Sequence, residues 1–370
     1  MRVAGIMSGT SLDGIDVAIV DVRGQGFRAK FDVAAFSSFP YAAATRRALL
    51  AVSNQECHTR DIARLNFSLA RWYADAVRRT CGEHKIALDS LQLVGSHGQT
   101  IYHEDGVCTL QIGDGSVLAE LLGKPGVSDF RPRDMAAGGK GAPLAPYFDY
   151  LYFRHARRGR VLLNLGGIGN LTAIPAGGGP ETVVALDTGP GNMVIDQLTA
   201  LHTGGKQTYD RDGRLAQRGH VDRALVDRLL RDRYFLRKPP KTAGRENYGA
   251  AFIAQLTATG RGTLDLIATA TAFTAATVAD QVARFVRPRM RVDDVIVGGG
   301  GARNPVLMAY LSAFMAGARV TATTEHGIDA DAKEAVIFAV LAHESWHGRT
   351  GNLPAATGAR RNVVLGKVSR

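Results

Sequence analysis

Residues 3–22 constrain this chain most. An apolar run, residues 3–7, enters a polar turn at residues 8–14, and a second apolar run leaves it over residues 15–22. That order is strand, turn, strand. A Walker loop passes instead from strand to helix and needs a Lys followed by Ser or Thr, which this segment lacks. Gly9 and Gly14 have the freedom to take positive φ and bring backbone N–H groups close to an anion. Ser8, Thr10 and Ser11 add hydroxyl donors, and Asp13 adds a carboxylate suited to Mg²⁺, directly or through water. The turn reads as a phosphate cradle.

Residues 160–174 repeat the shape: strand, Gly-rich polar turn, strand, with little identity letter for letter. Two such hairpins suggest two related α/β domains facing one another, and gaps in such folds hold a nucleotide. Two ordinary glycine-containing hairpins are the structural alternative. A third motif favours the first reading. Residues 295–305 are a strand, four glycines, then a helix begun by Asn304 with Pro305 at its first position. A turn without side chains lets a flat base or a ribose lie on the backbone. Its spacing does not complete the dinucleotide fingerprint, so NAD is disfavoured.

The 370 residues suffice for two domains with sizeable cores. Hydrophobic content of 45% and charged content of 21% are those of a globular protein. No run of 18 consecutive apolar residues occurs, so no membrane span is expected. The first strand begins within a few residues of Met1, leaving no room for a signal peptide. Cys57, Cys81 and Cys108 lack metal-ligand spacing and read as reduced thiols of a cytoplasmic protein. The net charge of +11 comes from scattered Arg without an aromatic-basic stripe, which argues for anionic small ligands over nucleic acid.

Apolar spacing predicts a long amphipathic helix over 61–81, with Ile62, Leu65, Leu69, Trp72 and Ala76 on one face. Further helices are expected at 116–122, 192–202, 221–234, 246–259, 265–286, 305–315 and 331–347. Strands are expected at 91–95, 161–165, 183–186 and 295–297. Leu307, Leu311 and Phe314 read as core, and residues 154–160 as a solvated linker between domains. Asp114, between glycines, reads as a turn former.

Three glycine loops in this order resemble the actin, hexokinase and sugar-kinase superfamily. Segments 5–16, 95–101, 111–115, 128–131, 138–144, 164–172, 186–192 and 238–246 together resemble the anhydro-N-acetylmuramic acid kinase family over nearly the whole chain. Ala243 departs from the pattern where a hydroxyl residue is expected, and Lys140 where Gln is more usual. The resemblance implies an α/β fold of two actin-like (ribonuclease H-like) domains with an ATP and sugar cleft between them. The first would comprise residues 1–130 with the C-terminal region 331–370, the second residues 131–330. It implies ATP and Mg²⁺ as cofactors, an anhydro amino sugar as the partner molecule and a homodimer. It also implies opening of the 1,6-anhydro ring by water with phosphorylation of O6, in recycling of cell-wall sugars.

Asp187 follows an apolar strand, so its carboxylate is expected at a strand's C-terminal edge, where ligands of open α/β sheets gather. It is the candidate general base, and a cap for the following helix is its structural alternative. That helix is expected to offer free N–H groups at its N-terminus. Phosphate contacts are expected from Gly9, Thr10, Ser11, Leu12, Asp13, Gly14, Ile15 and Asp16, and from Gly166, Gly167, Gly169 and Asn170. Asp13 is the first candidate for the metal side and Asp16 the second. Gly299, Gly300, Gly301 and Asn304 are expected to line the adenosine pocket. Glu334 resembles an acidic residue near metal and phosphates in the family; a first-turn surface Glu is its alternative. Arg131 suits the lactyl carboxylate of muramic acid in two parallel bonds. Asp129 is grouped with it, and His97 and Gln99 are candidates for sugar hydroxyls.

Two other readings compete. One is an ordinary hexose or N-acetyl-sugar kinase without ring cleavage. The other is an actin-like nucleotide-dependent filament protein, which would need neither the Asp187 loop nor residues 97–99.

Overall fold

Each glycine-bearing hairpin begins a sheet. The strands are β1 (Arg2–Ser8), β2 (Gly14–Arg23), β3 (Lys30–Pro40), β4 (Leu93–Glu104), β5 (Cys108–Ile112), β6 (Gly126–Ser128), β7 (Arg160–Leu165), β8 (Ile168–Ile174), β9 (Val184–Pro190), β10 (Asp294–Gly298), β11 (Arg319–Ala322) and β12 (Lys367–Ser369). The computed structural model describes residues 1–9 and 12–370, so Thr10 and Ser11 lie outside the described residues. The chain divides into two units, Met1–Tyr152 with Ala332–Arg370, and Phe153–Asp331.

In the first unit the sheet order is β12-β6-β4-β1-β2-β3, with β5 folded back on β4. In the second it is β11-β10-β7-β8-β9. The plans match. A hairpin strand carries two antiparallel neighbours on one side and a parallel strand on the other, with β4 beside β1 and β10 beside β7. Both units are α/β and actin-like, as expected. The first unit includes residues 131–152, so the break falls after Tyr152 rather than after residue 130. The helix Ala145–Phe153 explains this: Tyr147 and Tyr150 pack on Phe27, and Phe148 and Tyr152 on Phe31, all in the first unit.

The long helix Thr59–Glu83 buries Leu65, Leu69, Tyr73 and Val77 against one face of the first sheet. Against β1 and β4 lies the helix Lys333–Trp346, buried from Ala335 to Ser345. Two glycines permit that contact. A Cβ on Gly5 would stand 2.0 Å from the Ala335 carbonyl oxygen, and one on Gly95 2.5 Å from that of Phe338. At the first turn of this helix Lys333 forms a buried ion pair with Asp149 at 2.6 Å. Breaking such a pair on one side costs about 3–5 kcal/mol.

The second unit closes around the helix Thr263–Gln281, whose Ala275 and Val278 share a core with Leu307 and Leu311. With the five residues that follow it, this helix is long and apolar enough to cross a membrane, but 78% of its most apolar window is buried within the fold. Other expectations need correction. The helix expected at 221–234 is two short ones, Arg223–Leu229 and Arg233–Leu236, because Asp232 caps a new start through the Tyr234 N–H. That expected at 246–259 breaks at Gly249. Phe314 is 44% exposed, one turn beyond the buried Leu311. Arg158 and Arg160 are not solvated linker charges; both bind Asp294, Arg158 Nε at 2.8 Å and Arg160 Nε at 3.2 Å.

Gly5→Ala and Gly95→Ala should each cost about 1–3 kcal/mol, because the added methyl meets helix backbone rather than a movable side chain. Gly82→Ala, in the long helix and with nothing within 4 Å, should instead stabilise by about 0.5–1 kcal/mol. Urea unfolding of the three variants measures both signs.

Candidate functional site

The first turn is stiffened differently from the sequence expectation. Positive φ falls on Leu12, at 58°, and not on Gly14. Gly14 is needed for space: a Cβ there would lie 2.3 Å from the Phe39 carbonyl oxygen. Leu12 and Ile15 are buried core residues, so their side chains anchor the turn. The Leu12 N–H donates to Gly9 O at 3.1 Å. Gln99 braces the same turn, its Nε2 donating to Gly9 O at 3.1 Å and its Oε1 accepting from Ser8 Oγ. Ser8 Oγ also meets Tyr41 OH at 2.8 Å. Gln99 is fully buried, and its bonds to Gly9 and Ser8 support the loop. Asp13 is exposed, and Asp16 is paired in register with Met7.

His97 and Arg131 form one unit. Between β1 and β4 the register slips, so that His97 and Gly98 lie opposite Met7 alone, and Gly98 takes φ 75°. After β6 the chain reverses at Asp129, φ 58°, which buries Phe130 and turns Arg131 toward His97. Arg131 Nε and Nη2 donate to His97 Nε2 at 3.0 and 2.9 Å, and Nη1 donates to Gly141 O at 2.8 Å. His97 Nδ1 lies 2.8 Å from Gly98 O, which can only accept. The imidazole is therefore neutral, with its proton on Nδ1. Burial, then the Arg131 charge, holds its pKa well below 6.5. Burial also lowers Arg131 to about 10, against the opposing pull of Glu334 and Asp134.

Asp129 does not stand free: its Oδ2 lies 2.6 Å from Lys367 Nζ. It lines, with His97, Asn66, Gln111 and Lys367, a recess of about 400 Å³ within the first unit. Asp114 caps the helix Gly115–Leu122 through the Ser116 and Val117 N–H groups. Glu334, on the first turn of the helix Lys333–Trp346, is reached by solvent yet closely surrounded by protein atoms. Loss of water around it, then the charge of Asp16, raises its pKa, while Lys333 and Arg131 oppose this. Glu334, Asp16 and Arg131 thus share one electrostatic neighbourhood.

In the second unit Asp187 lies beside the second turn. It faces Asn170 in the β8–β9 register, and Gly189 faces Gly169, so Thr188 is an extra residue in β9. This bulge corrects the expectation that Asp187 ends a strand, since β9 continues to Pro190. Bulges re-aim neighbouring side chains. Residues 241–243 hold Asp187 from the sheet edge: its N–H donates to Lys241 O at 3.2 Å, and its Oδ2 accepts from the Ala243 N–H at 2.8 Å. Tyr234 OH donates to its carbonyl at 2.8 Å. Ala243 acts through its backbone, so the missing hydroxyl leaves this bond intact. Lys140, the other departure, forms an ion pair with Asp105 at 3.1 Å.

The helix Met193–His202 does not present all its first N–H groups freely. Asn192 and Met193 N–H donate to Gly166 O at 2.7 Å and Gly167 O at 3.1 Å. The third loop packs on the same place. A Cβ on Gly299 would stand 2.6 Å from Asn164 Oδ1, and one on Gly301 2.6 Å from Leu165 Cβ. Gly300 also lies near Asn192. Asn304 Oδ1 caps its helix through Val306 and Leu307 N–H at 3.1 and 3.2 Å, as the sequence implied. Sequence reasoning did not anticipate Tyr234 or Lys241; the motif at 238–246 was the available signal for the latter. No group of three or more His, Cys, Asp or Glu suited to a metal occurs among the described residues.

A family described as anhydro-N-acetylmuramic acid kinase matches residues 1–370. An anhydro-N-acetylmuramic acid kinase of Caldanaerobacter subterraneus subsp. tengcongensis is 42% identical, over 99% of this chain and 96% of that protein. One of Salinibacter ruber is 43% identical over the same shares. Among solved structures, a ROK family glucokinase from Streptomyces griseus in complex with glucose and AMPPNP aligns with a TM-score of 0.42 at 10% identity, covering 93% of this chain and 100% of that one.

Lys241 gives the second unit a pH signature. Its ammonium is buried, donates to Tyr234 O at 3.0 Å, and is lowered to about 8 by loss of water, with Asp280 opposing. Between about pH 8 and the unfolded value near 10.5 the unfolded chain holds the extra proton, so this group makes stability rise with pH. Chemical denaturation of wild type and Lys241→Met should show a stability difference that shifts in favour of wild type across that window.

Proposed function

The chain belongs to the anhydro-N-acetylmuramic acid kinase family, and from that premise we propose that it opens 1,6-anhydro-N-acetylmuramic acid with water and phosphorylates the released O6. Asp187 is the base. It takes a proton from water as the water oxygen bonds to C1; the C1–O6 bond breaks, O6 bonds to the γ-phosphorus of ATP, and ADP leaves. Ordinary glycoside inversion needs a second carboxyl to protonate the leaving oxygen. Here phosphoryl capture replaces that proton, so one carboxylate suffices. The product is N-acetylmuramic acid 6-phosphate, as recycling of cell-wall sugars requires.

The observation that carries this reading is the setting of Asp187. Its carboxylate sits at a bulge beside Asn170, held by the Ala243 N–H, in a chain of this family. Phosphoryl transfer depends mainly on positioning and charge neutralisation. The turns at residues 9–16, with Thr10 and Ser11, and at residues 166–170 are assigned to the phosphates, and residues 299–304 to the adenosine. Mg²⁺ keeps several waters and needs only one or two carboxylates beside phosphate oxygens. Exposed Asp13, or Asp16 with Glu334, whose like charges a cation would relieve, are the carboxylates assigned to it. Bound there, it would neutralise phosphate charge. Arg131 is assigned to the lactyl carboxylate.

Asp187→Asn should retain ATP binding and lose turnover by about 10²–10⁴. ADP release with the anhydro sugar, N-acetylmuramic acid and N-acetylglucosamine should be fastest with the first, and ¹⁸O from water should enter its anomeric hydroxyl. Equal turnover of the three, without incorporation beyond anomeric exchange, would favour the ordinary sugar kinase.

A further inference from the structure

The sequence suggested His97 as a sugar contact; in the structure its ring is bonded to other protein groups. It is 3% exposed, and both ring nitrogens are engaged. One ring face lies against Phe338, centroids 4.6 Å apart. What it does touch is Arg131, along the Nε–Nη2 edge. The Gly141 carbonyl takes one N–H of Nη1. Gly141 is itself fixed, its N–H donating to Oδ2 of Asp134 at 2.9 Å. Asp134 is fully buried, and its Oδ1 accepts from Asn352 Nδ2 at 2.7 Å and Thr357 Oγ1 at 2.8 Å. The guanidinium is thus gripped on two sides, and one N–H on each of Nη1 and Nη2 has no partner among the described residues. The one on Nη2 lies on the Nη1–Nη2 edge, by which a guanidinium can meet a carboxylate.

We propose that His97 is a positioning residue: as a neutral acceptor it fixes Arg131 so that the Nη1–Nη2 edge is presented to the carboxylate of the sugar acid. This rests on the assignment of Arg131 to that carboxylate. An Arg side chain left loose would have to order itself at each binding event, and a preset fork avoids that entropy. A protonated His97 could not accept these bonds and would repel the guanidinium, so the Nδ1–H tautomer is part of the device. That proton is held by Gly98 O, which the register slip in β4 brings to the ring.

The test is a double-mutant cycle in steady-state kinetics with the anhydro sugar acid, with melting curves to establish folding. His97→Phe keeps the ring packing on Phe338 and removes the acceptor. It should lower kcat/KM about tenfold or more through the sugar KM, with the KM for ATP unchanged. His97→Gln, whose amide oxygen reaches the Nε2 position, should recover most of that loss. Arg131→Met should cost about a hundredfold, and adding His97→Phe to it should cost nothing further. Where His97→Phe does not fold, His97→Asn, whose amide is too short for Arg131, takes its place. Losses that multiply in the double variant, or a single His97 variant with wild-type KM, overturn the role of His97. An Arg131→Met enzyme with unchanged sugar KM overturns the carboxylate assignment beneath it.

Discussion

The first unit depends on one close approach: the backbone of the helix Lys333–Trp346 lying on β1 and β4 where Gly5 and Gly95 have no side chains. Its consequences run along the helix in order. Glu334, in the first turn, is carried to the neighbourhood of Asp16 on β2. Ala335 and Ala339 meet Gly5. Phe338 puts its carbonyl over Gly95 and its ring against His97 and Phe130. A helix held farther out by methyl groups would loosen the packing behind His97 and so the partner of Arg131. The buried Asp149–Lys333 pair pins the start of this helix, where a charge left alone would be costly.

Both units place their candidate chemistry at a fault in a ladder. In β4 the extra residue falls at His97–Gly98; in β9 it is Thr188, next to Asp187. A regular strand sends successive side chains to opposite faces, so a group in a regular register is committed to core or solvent. A bulge breaks that commitment locally. It lets Asp187 stay within a strand and still meet a loop at the sheet edge, and it brings the Gly98 carbonyl round to its own neighbour's ring.

Much of the fold was legible because it is written in period and in glycine. The two hairpins, the long helix at 59–83 and the Asn304-Pro305 helix start all follow from local chemistry. The breaks at Asp232 and Gly249 were not, because apolar spacing continued across them while a cap and a glycine interrupted the backbone. The sequence singled out Asp187, Arg131 and Glu334 as candidates but not the residues that surround them. His97 and Gln99, ligand candidates by type and position, are each bonded to a residue far away in the chain, Arg131 or the turn at Ser8–Gly9. Such pairings have no local signature. Gly14 makes no use of its freedom to take positive φ, for a related reason. It answers to β3, through the Phe39 carbonyl, rather than to its own turn.

The departures from the family pattern show what kind of information the site carries. Where a hydroxyl residue is expected, Ala243 still gives Asp187 a backbone N–H, which any residue but proline supplies. The loop's position is fixed instead by the buried Lys241 bonded to Tyr234 O, and by Tyr234 OH bonded to the Asp187 carbonyl. The same division holds around Arg131. Its third bond goes to the Gly141 carbonyl, and Asp134 fixes that loop while Lys140 beside it pairs with Asp105. In both places main chain meets the candidate side chain, joined at Arg131 by the His97 ring, and buried side chains hold that main chain still. A surface residue can therefore change with little effect on this main chain, whereas a change at Lys241 or Asp134 removes a bond that holds it.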